Sequence, residues 1–122
     1  MIAGTGSGCG KTTVTLAVLR AMQRRNIPLA AFKCGPDYID PMFHKAVLGI
    51  PSRNLDLFFI SEREVRGQIV RSIPQNGIGV IEGVMGFYDG VSGATDTASA
   101  AHLARETGTP AILVVRPKGQ SL

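Results

Sequence analysis

The 122-residue sequence has no tryptophan, two cysteines and few aromatic residues, 6% in all. Two cysteines, Cys9 and Cys34, are too few for a disulfide framework, and no Cys/His group has metal-ligand spacing. Charged residues make up only 18%, below the usual quarter, so a disordered, highly charged chain is excluded. No apolar run approaches the ~20 residues that span a bilayer. The start lacks a basic n-region and an apolar h-region, since glycine-rich sequence begins at Gly4. A soluble cytoplasmic protein that does not engage membranes is therefore expected. The net charge of +4, from 13 Lys+Arg against 9 Asp+Glu, comes from scattered residues rather than a basic tract. That balance suits an anionic small molecule, and no nucleic-acid partner is expected.

What is present is 44% hydrophobic residues with 15 glycines and 7 prolines, the make-up of one small globular domain. Met1 to Ala3 reads as the tail of a strand. Residues 11–25 space their apolar positions for a one-sided helix, which Asn26-Ile27-Pro28 stops. Leu29–Phe32, Ile78–Ile81 and Ala111–Val115 are short apolar runs, read as strands with both faces covered. Asp40-Pro41 reads as a helix cap followed by proline at the first helical position, in a helix ending at Gly49. Ser61-Glu62-Arg63-Glu64 is a capping box opening a helix to about Ile73. Thr95 or Asp96 is expected to cap a helix to Thr107. Alternating strands and helices predict an α/β domain with a parallel sheet of about four strands. Ending soon after its last apolar run, the sequence reads as part of a longer protein.

The strongest motif is Gly4-Thr5-Gly6-Ser7-Gly8-Cys9-Gly10-Lys11-Thr12-Thr13, set between a strand and a helix. Glycines let successive backbone N–H groups curl around an anion, and the helix start adds its positive dipole end. Lys11 can reach β- and γ-phosphates, and Thr12 can place its hydroxyl on Mg²⁺. Residues Thr5 to Thr13 form the candidate nucleotide site. The strict G-x-x-x-x-G-K-[ST] pattern requires glycine where Thr5 stands. Counted from Gly4, the loop is one residue longer.

That longer loop resembles the dethiobiotin synthetase-like group of P-loop enzymes. Residues 32–44, Phe-Lys-Cys-Gly-Pro-Asp-Tyr-Ile-Asp-Pro-Met-Phe-His, resemble the signature of the cobyrinic acid a,c-diamide synthase family. Glu82-Gly-Val-Met-Gly-Phe-Tyr-Asp-Gly90 is similar to its next motif, and Asn54-Leu55-Asp56 fits as well. The resemblance covers essentially the whole chain. It implies a P-loop NTPase fold, and residues 1–122 as part of an ATP-binding amide synthase domain. It also implies ATP-dependent amidation of the a and c carboxylates of a corrin-type tetrapyrrole acid in cobalamin biosynthesis, through a phosphorylated carboxylate. Ammonia would come from glutamine through a C-terminal glutaminase domain that this sequence does not contain. A homodimer remains open.

The residues support such chemistry on their own terms, because phosphoryl transfer needs charge neutralisation and alignment. Lys33, read as following a strand, is placed to hold the γ-phosphate or the substrate carboxylate. Asp37 and Glu82 lie beyond two strands and, with Thr12, can hold Mg²⁺. Asp40 and Asp89 are further candidate acids, each equally readable as a cap or turn residue. Tyr38, Ile39, Met85, Phe87 and Tyr88 can meet an apolar macrocycle edge. His44 and His102 read as surface or packing residues, Phe58 and Phe59 as core, and Cys34 as a small buried residue. Related sequences lead one to expect an acid after Val115, where Arg116 stands. Hydrogenobyrinic acid or a nickel sirohydrochlorin are alternative substrates that the motifs do not separate. A partitioning-type regulatory ATPase would carry a second lysine five residues before Lys11; that residue is Gly6.

Overall fold

The computed structural model describes residues 1–37 and 39–117, with the side chains of residues 39–41 left aside. Its elements alternate: β1 (Ile2–Gly4), α1 (Lys11–Arg24), β2 (Leu29–Cys34), α2 (Ile39–Leu48), β3 (Ser52–Leu55), α3 (Glu62–Ser72), β4 (Ile78–Glu82), α4 (Ala100–Thr107) and β5 (Ile112–Val114). The five strands pair in parallel in the order β3-β2-β4-β1-β5. Parallel neighbours need a crossover, and the helices supply it.

Period-two alternation along the strands builds two cores. Met1, Ala3, Phe32, Cys34 and Ile81 face one side, packed with Val65 of α3 and Leu103 of α4. Ile2, Ala31 and Val80 face the other, with Leu19 of α1, Ile50 and the apolar flanks Val14, Val18 and Leu48. The sheet is thus a middle layer between two helix pairs, which is why its central strands read as unbroken apolar runs.

Local chemistry sets the ends of the elements. Ser61 caps α3, its hydroxyl accepting from Glu64 N–H while the Glu64 carboxylate accepts from Ser61 N–H. Gly49, at φ +67°, follows α2 as expected, and Gly108, at φ +62°, closes α4.

Several expectations are corrected. The sheet has five strands rather than about four. The unforeseen one, β3, reads Ser-Arg-Asn-Leu, a half-exposed edge strand without the apolar run of a central one. Strand β2 continues through Lys33 and Cys34, so Lys33 belongs to the sheet and does not follow it. Helix α2 begins at Ile39, placing Asp40 inside its first turn rather than at the cap; Pro41 is tolerated there because first-turn N–H groups have no helical acceptor. Ser99 caps α4, and neither Thr95 nor Asp96 does, since residues 92–98 form turns first. Strand β5 is shorter than expected, and its Ile112 and Leu113 are 63% and 48% exposed, so its faces are not both covered. Phe58 and Phe59 lie on the surface, stacked edge-to-face at 4.8 Å, rather than in the core. Among the described residues no helix is long and apolar enough to cross a membrane.

Candidate functional site

Chain direction reverses in the sheet between β1 and β4. From β1 the chain moves across to β2 and β3, then returns to β4 beside β1. In open parallel sheets the crevice beyond the strand ends at such a point is the ligand site. Here the loop after β1 and the end of β4 meet, with Gly83 N–H donating to Ile2 O at 2.8 Å and Phe87 N–H to Gly4 O at 2.8 Å. A cavity of about 430 Å³ opens there, lined by Ser7, Gly8 and Gly10–Thr13 of the loop together with Lys33, Asp37, Glu82, Val84 and Met85.

The loop is shaped for an anion. Gly8 and Gly10 hold φ of +69° and +104°, conformations that side-chain-bearing residues resist. Helix α1 starts at Gly10 without a side-chain cap and without an acid in its first turn, so its N-terminal N–H groups and positive dipole end are unanswered from within the helix. Lys11, only 7% exposed, donates from Nζ to Gly6 O at 2.7 Å, and its ammonium lies 4.0 Å from Cys9 Sγ.

The acids and the second lysine come from other elements. Glu82, at the end of β4, is fully buried. Its Oε1 accepts from Thr12 Oγ1 at 2.6 Å and from Lys33 Nζ at 3.3 Å. Lys33 also donates to Gly83 O at 2.9 Å and lies 3.8 Å from Asp37. Register places Lys33 directly opposite Glu82 on neighbouring strands. Burying these charges is tolerable only because they answer one another. Glu82 is therefore not a solvated strand-end carboxylate.

Asp37 is held by a residue that sequence reasoning cited only as part of a motif. Asn54 of β3 donates from Nδ2 to Gly35 O at 2.8 Å and to Asp37 O at 2.6 Å, clamping the turn that carries Asp37. His44 is a second such case. It is completely buried, with Nε2 2.8 Å from Glu82 Oε2 and Nδ1 3.0 Å from Ser52 Oγ, so it is not a surface residue and it packs with two polar partners.

Other candidates fall elsewhere. Asp89 accepts from Gly86 N–H at 2.8 Å and lines a neighbouring apolar cavity of about 200 Å³ rather than the loop cavity. Met85 and Val84 line both cavities. Tyr88 is exposed and stacks on Phe87 at 4.9 Å, facing α4 and the start of β5. Thr5, Gly6 and Cys9 line the loop's other side with Arg116, which donates to Gly8 O at 3.5 Å. Tyr38 and the side chains of Ile39 and Asp40 lie outside the described residues.

The donor set fits magnesium. Thr12 Oγ1 donates to Glu82 Oε1, so a hydroxyl oxygen and a carboxylate oxygen stand side by side at the cavity. Together with the oxygens of Asp37 and Glu82 it offers the hard ligands that this ion prefers. Glu62, His102 and Glu106 also converge within 4.8 Å. There His102 Nδ1 accepts from Ala98 N–H at 3.0 Å, which puts the proton of the neutral ring on Nε2, facing Glu62 at 3.4 Å. A protonated nitrogen is no metal ligand, and Arg66 already pairs with Glu106.

A parallel α/β sheet with a glycine-lysine-threonine loop at its switch point defines a P-loop nucleotide-binding domain. The family model described as "CobQ/CobB/MinD/ParA nucleotide binding domain" matches residues 1–107, and the chain belongs to that family. It is similar to the cobyrinate a,c-diamide synthase of Salmonella typhimurium, 46% identical over 121 residues, covering 99% of this chain and 26% of that protein. The synthase of the same name from Clostridium acetobutylicum is 50% identical over 123 residues, covering 100% and 27%. That of Thermoplasma volcanium is 48% identical over 121 residues, covering 99% and 26%. The chain thus spans about a quarter of the length of these curated relatives. No solved structure matches it.

Proposed function

We propose that this chain is the ATP-binding part of an amide synthase acting on carboxylates of a cobyrinic-acid-type tetrapyrrole. The observation that carries the reading is the meeting of Thr12, Lys33 and Glu82, from three separate elements, on one wall of the phosphate-shaped loop. The names of the relatives supply the substrate class.

In this reading the N–H groups of the loop and of the α1 start grip the β- and γ-phosphates of ATP. Lys11 leaves Gly6 O for the bridging region and neutralises charge there. Thr12, Asp37 and Glu82 hold magnesium, which when bound supplies charge neutralisation on the phosphates. Lys33, fixed by Glu82 and Gly83 O, steers the substrate carboxylate in line with the γ-phosphorus. A carboxylate oxygen bonds to that phosphorus as the β–γ bridging P–O bond breaks, giving an acyl phosphate and ADP. Ammonia, released from glutamine elsewhere in the intact protein, then attacks the acyl carbon. Inorganic phosphate departs, the nitrogen sheds a proton, and an amide remains. Gly6 offers no side chain where a partitioning-type switch carries its second lysine, which disfavours that alternative.

The test is mass spectrometry of tetrapyrrole acids incubated with the intact protein, ATP, Mg²⁺ and glutamine. Successive gains of one amide each, with stoichiometric ADP, are expected from cobyrinic acid; hydrogenobyrinic acid and nickel sirohydrochlorin serve as competitors. Lys11→Ala is expected to lower the rate by at least ~10²-fold. Unchanged turnover in that variant would remove the loop from the mechanism.

A further inference from the structure

The expected site residues leave one strong interaction unexplained. Glu82 is a fully buried carboxylate with two different sides. Oε1 faces the loop, taking Thr12 and Lys33. Oε2 faces away from it and takes His44 Nε2 at 2.8 Å. A carboxylate accepts only, so the Nε2 proton is the donor. The other ring nitrogen lies 3.0 Å from Ser52 Oγ on the edge strand β3. With the ring neutral, the serine hydroxyl donates to Nδ1 and holds the proton on Nε2. His44 and Glu82 are both at 0% exposure, so water does not compete for these bonds.

The geometry points to His44, oriented by Ser52, as a positioning residue that fixes Glu82 for magnesium-nucleotide. The inference rests on the ATP-binding reading above. Rotation about the last side-chain torsion of a glutamate is soft and broad. His44 holds the second oxygen while Thr12 and Lys33 hold the first, so the carboxylate plane is fixed from both ends and the Thr12 oxygen stays aimed. Outer-shell bonds of this type orient the groups that hold a metal, and their loss costs about 10–100-fold in metal affinity or activity. The arrangement also gives β3 a function: by its pairing with β2 it carries Ser52, Asn54 and Leu55 in register with Ala31, Lys33 and Cys34. One edge strand thus steadies the acid of β4 through His44 and the turn of Asp37 through Asn54.

The experiment titrates the intact protein with a fluorescent ATP analogue, in EDTA and across a Mg²⁺ series. Wild type, His44→Ala, His44→Gln, Ser52→Ala and Lys11→Ala are compared, each first checked for cooperative thermal unfolding. His44→Ala is expected to raise the Mg²⁺ concentration needed for half-maximal tightening by about 10–100-fold, leaving the affinity in EDTA unchanged. His44→Gln restores an N–H donor and is expected to recover most of the loss, with Ser52→Ala intermediate. An unchanged Mg²⁺ midpoint in folded His44→Ala overturns the proposal. So does an equal loss with and without Mg²⁺, which marks a merely structural residue. If His44→Ala fails to fold, His44→Gln and Ser52→Ala decide: wild-type midpoints in Ser52→Ala, or the full loss in folded His44→Gln, overturn it. Failure of the underlying reading looks different, since Lys11→Ala would then bind the analogue as wild type does.

Discussion

The two cysteines show how position governs a residue's chemistry. Cys34 lies at the end of β2, inside the core, and its thiol is pushed up to about 12. Burial is the main cause, partly offset by the neighbouring Lys33 ammonium. With its pKa raised that far, the thiol stays protonated at pH 8, and the thiolate is the reactive form. Cys9 sits half-exposed in the phosphate loop beside the Lys11 ammonium. Iodoacetamide at pH 8 should therefore modify Cys9 and spare Cys34 in the folded protein, and bound ATP should slow the reaction at Cys9. Peptide mass spectrometry over a time course checks both, and equal labelling of the two cysteines would contradict the burial argument. At this scale the sequence was informative about Lys11, Thr12, Lys33, Asp37 and Glu82, whose residue types and motif spacing bring them to one cavity. It was silent about His44, because a lone histidine in a helix carries no mark of the carboxylate it will face across the fold. Phe58 and Phe59 misled for the converse reason: an aromatic residue need not be inside, since much of any folded surface is apolar.

Elements succeed or fail by their ends. Helix α3 opens with a complete capping box, and Ser61→Ala should cost about 1 kcal/mol, read as a fall in Tm or in the denaturant midpoint. The box also has a pH signature. The Ser61 N–H and hydroxyl hold the Glu64 carboxyl below its ordinary range. A carboxyl whose folded pKa is depressed contributes stability above its unfolded value, near 4.3. That contribution fades as pH falls through the lower folded value. The Tm difference between wild type and Glu64→Gln should accordingly be full at pH 6 and shrink below about pH 4. A difference that persists unchanged into acid would mean that the charge is not what the cap uses. Capping chemistry was legible for α3 because all its partners lie within four residues. It was not legible for α4, where the turns of residues 92–98 intervene before Ser99 takes the cap. Strand β3 was hidden because its apolar content is low and its pairing with β2 is a long-range fact.

At the scale of the molecule, two helix pairs clamp a sheet whose switch point receives the ligand. A nucleotide that binds only the folded state adds stability by mass action, about 2.7 kcal/mol at roughly a hundred times its Kd. Differential scanning fluorimetry should show Tm rising with ATP and Mg²⁺ in wild type, and no rise in Lys11→Ala. The layered architecture was predictable because alternating strands and helices leave few alternatives. Strand order and the fifth strand were not, since neighbours in the sheet are mostly not neighbours along the chain.

Glu82 ends a strand hydrogen-bonded on both sides, to β2 and to β1. Its counter-ion Lys33 occupies the facing register position on β2. The same carboxylate that serves the ligand is therefore a keystone between strands, and a loss-of-charge variant is a lesion of architecture as much as of chemistry. Glu82→Gln removes the buried charge that faces the Lys33 ammonium, and a lower Tm is expected. Lys33→Met combined with Glu82→Gln should unfold later than the sum of the single variants implies. Evolution would then be expected to exchange these two positions as a couple.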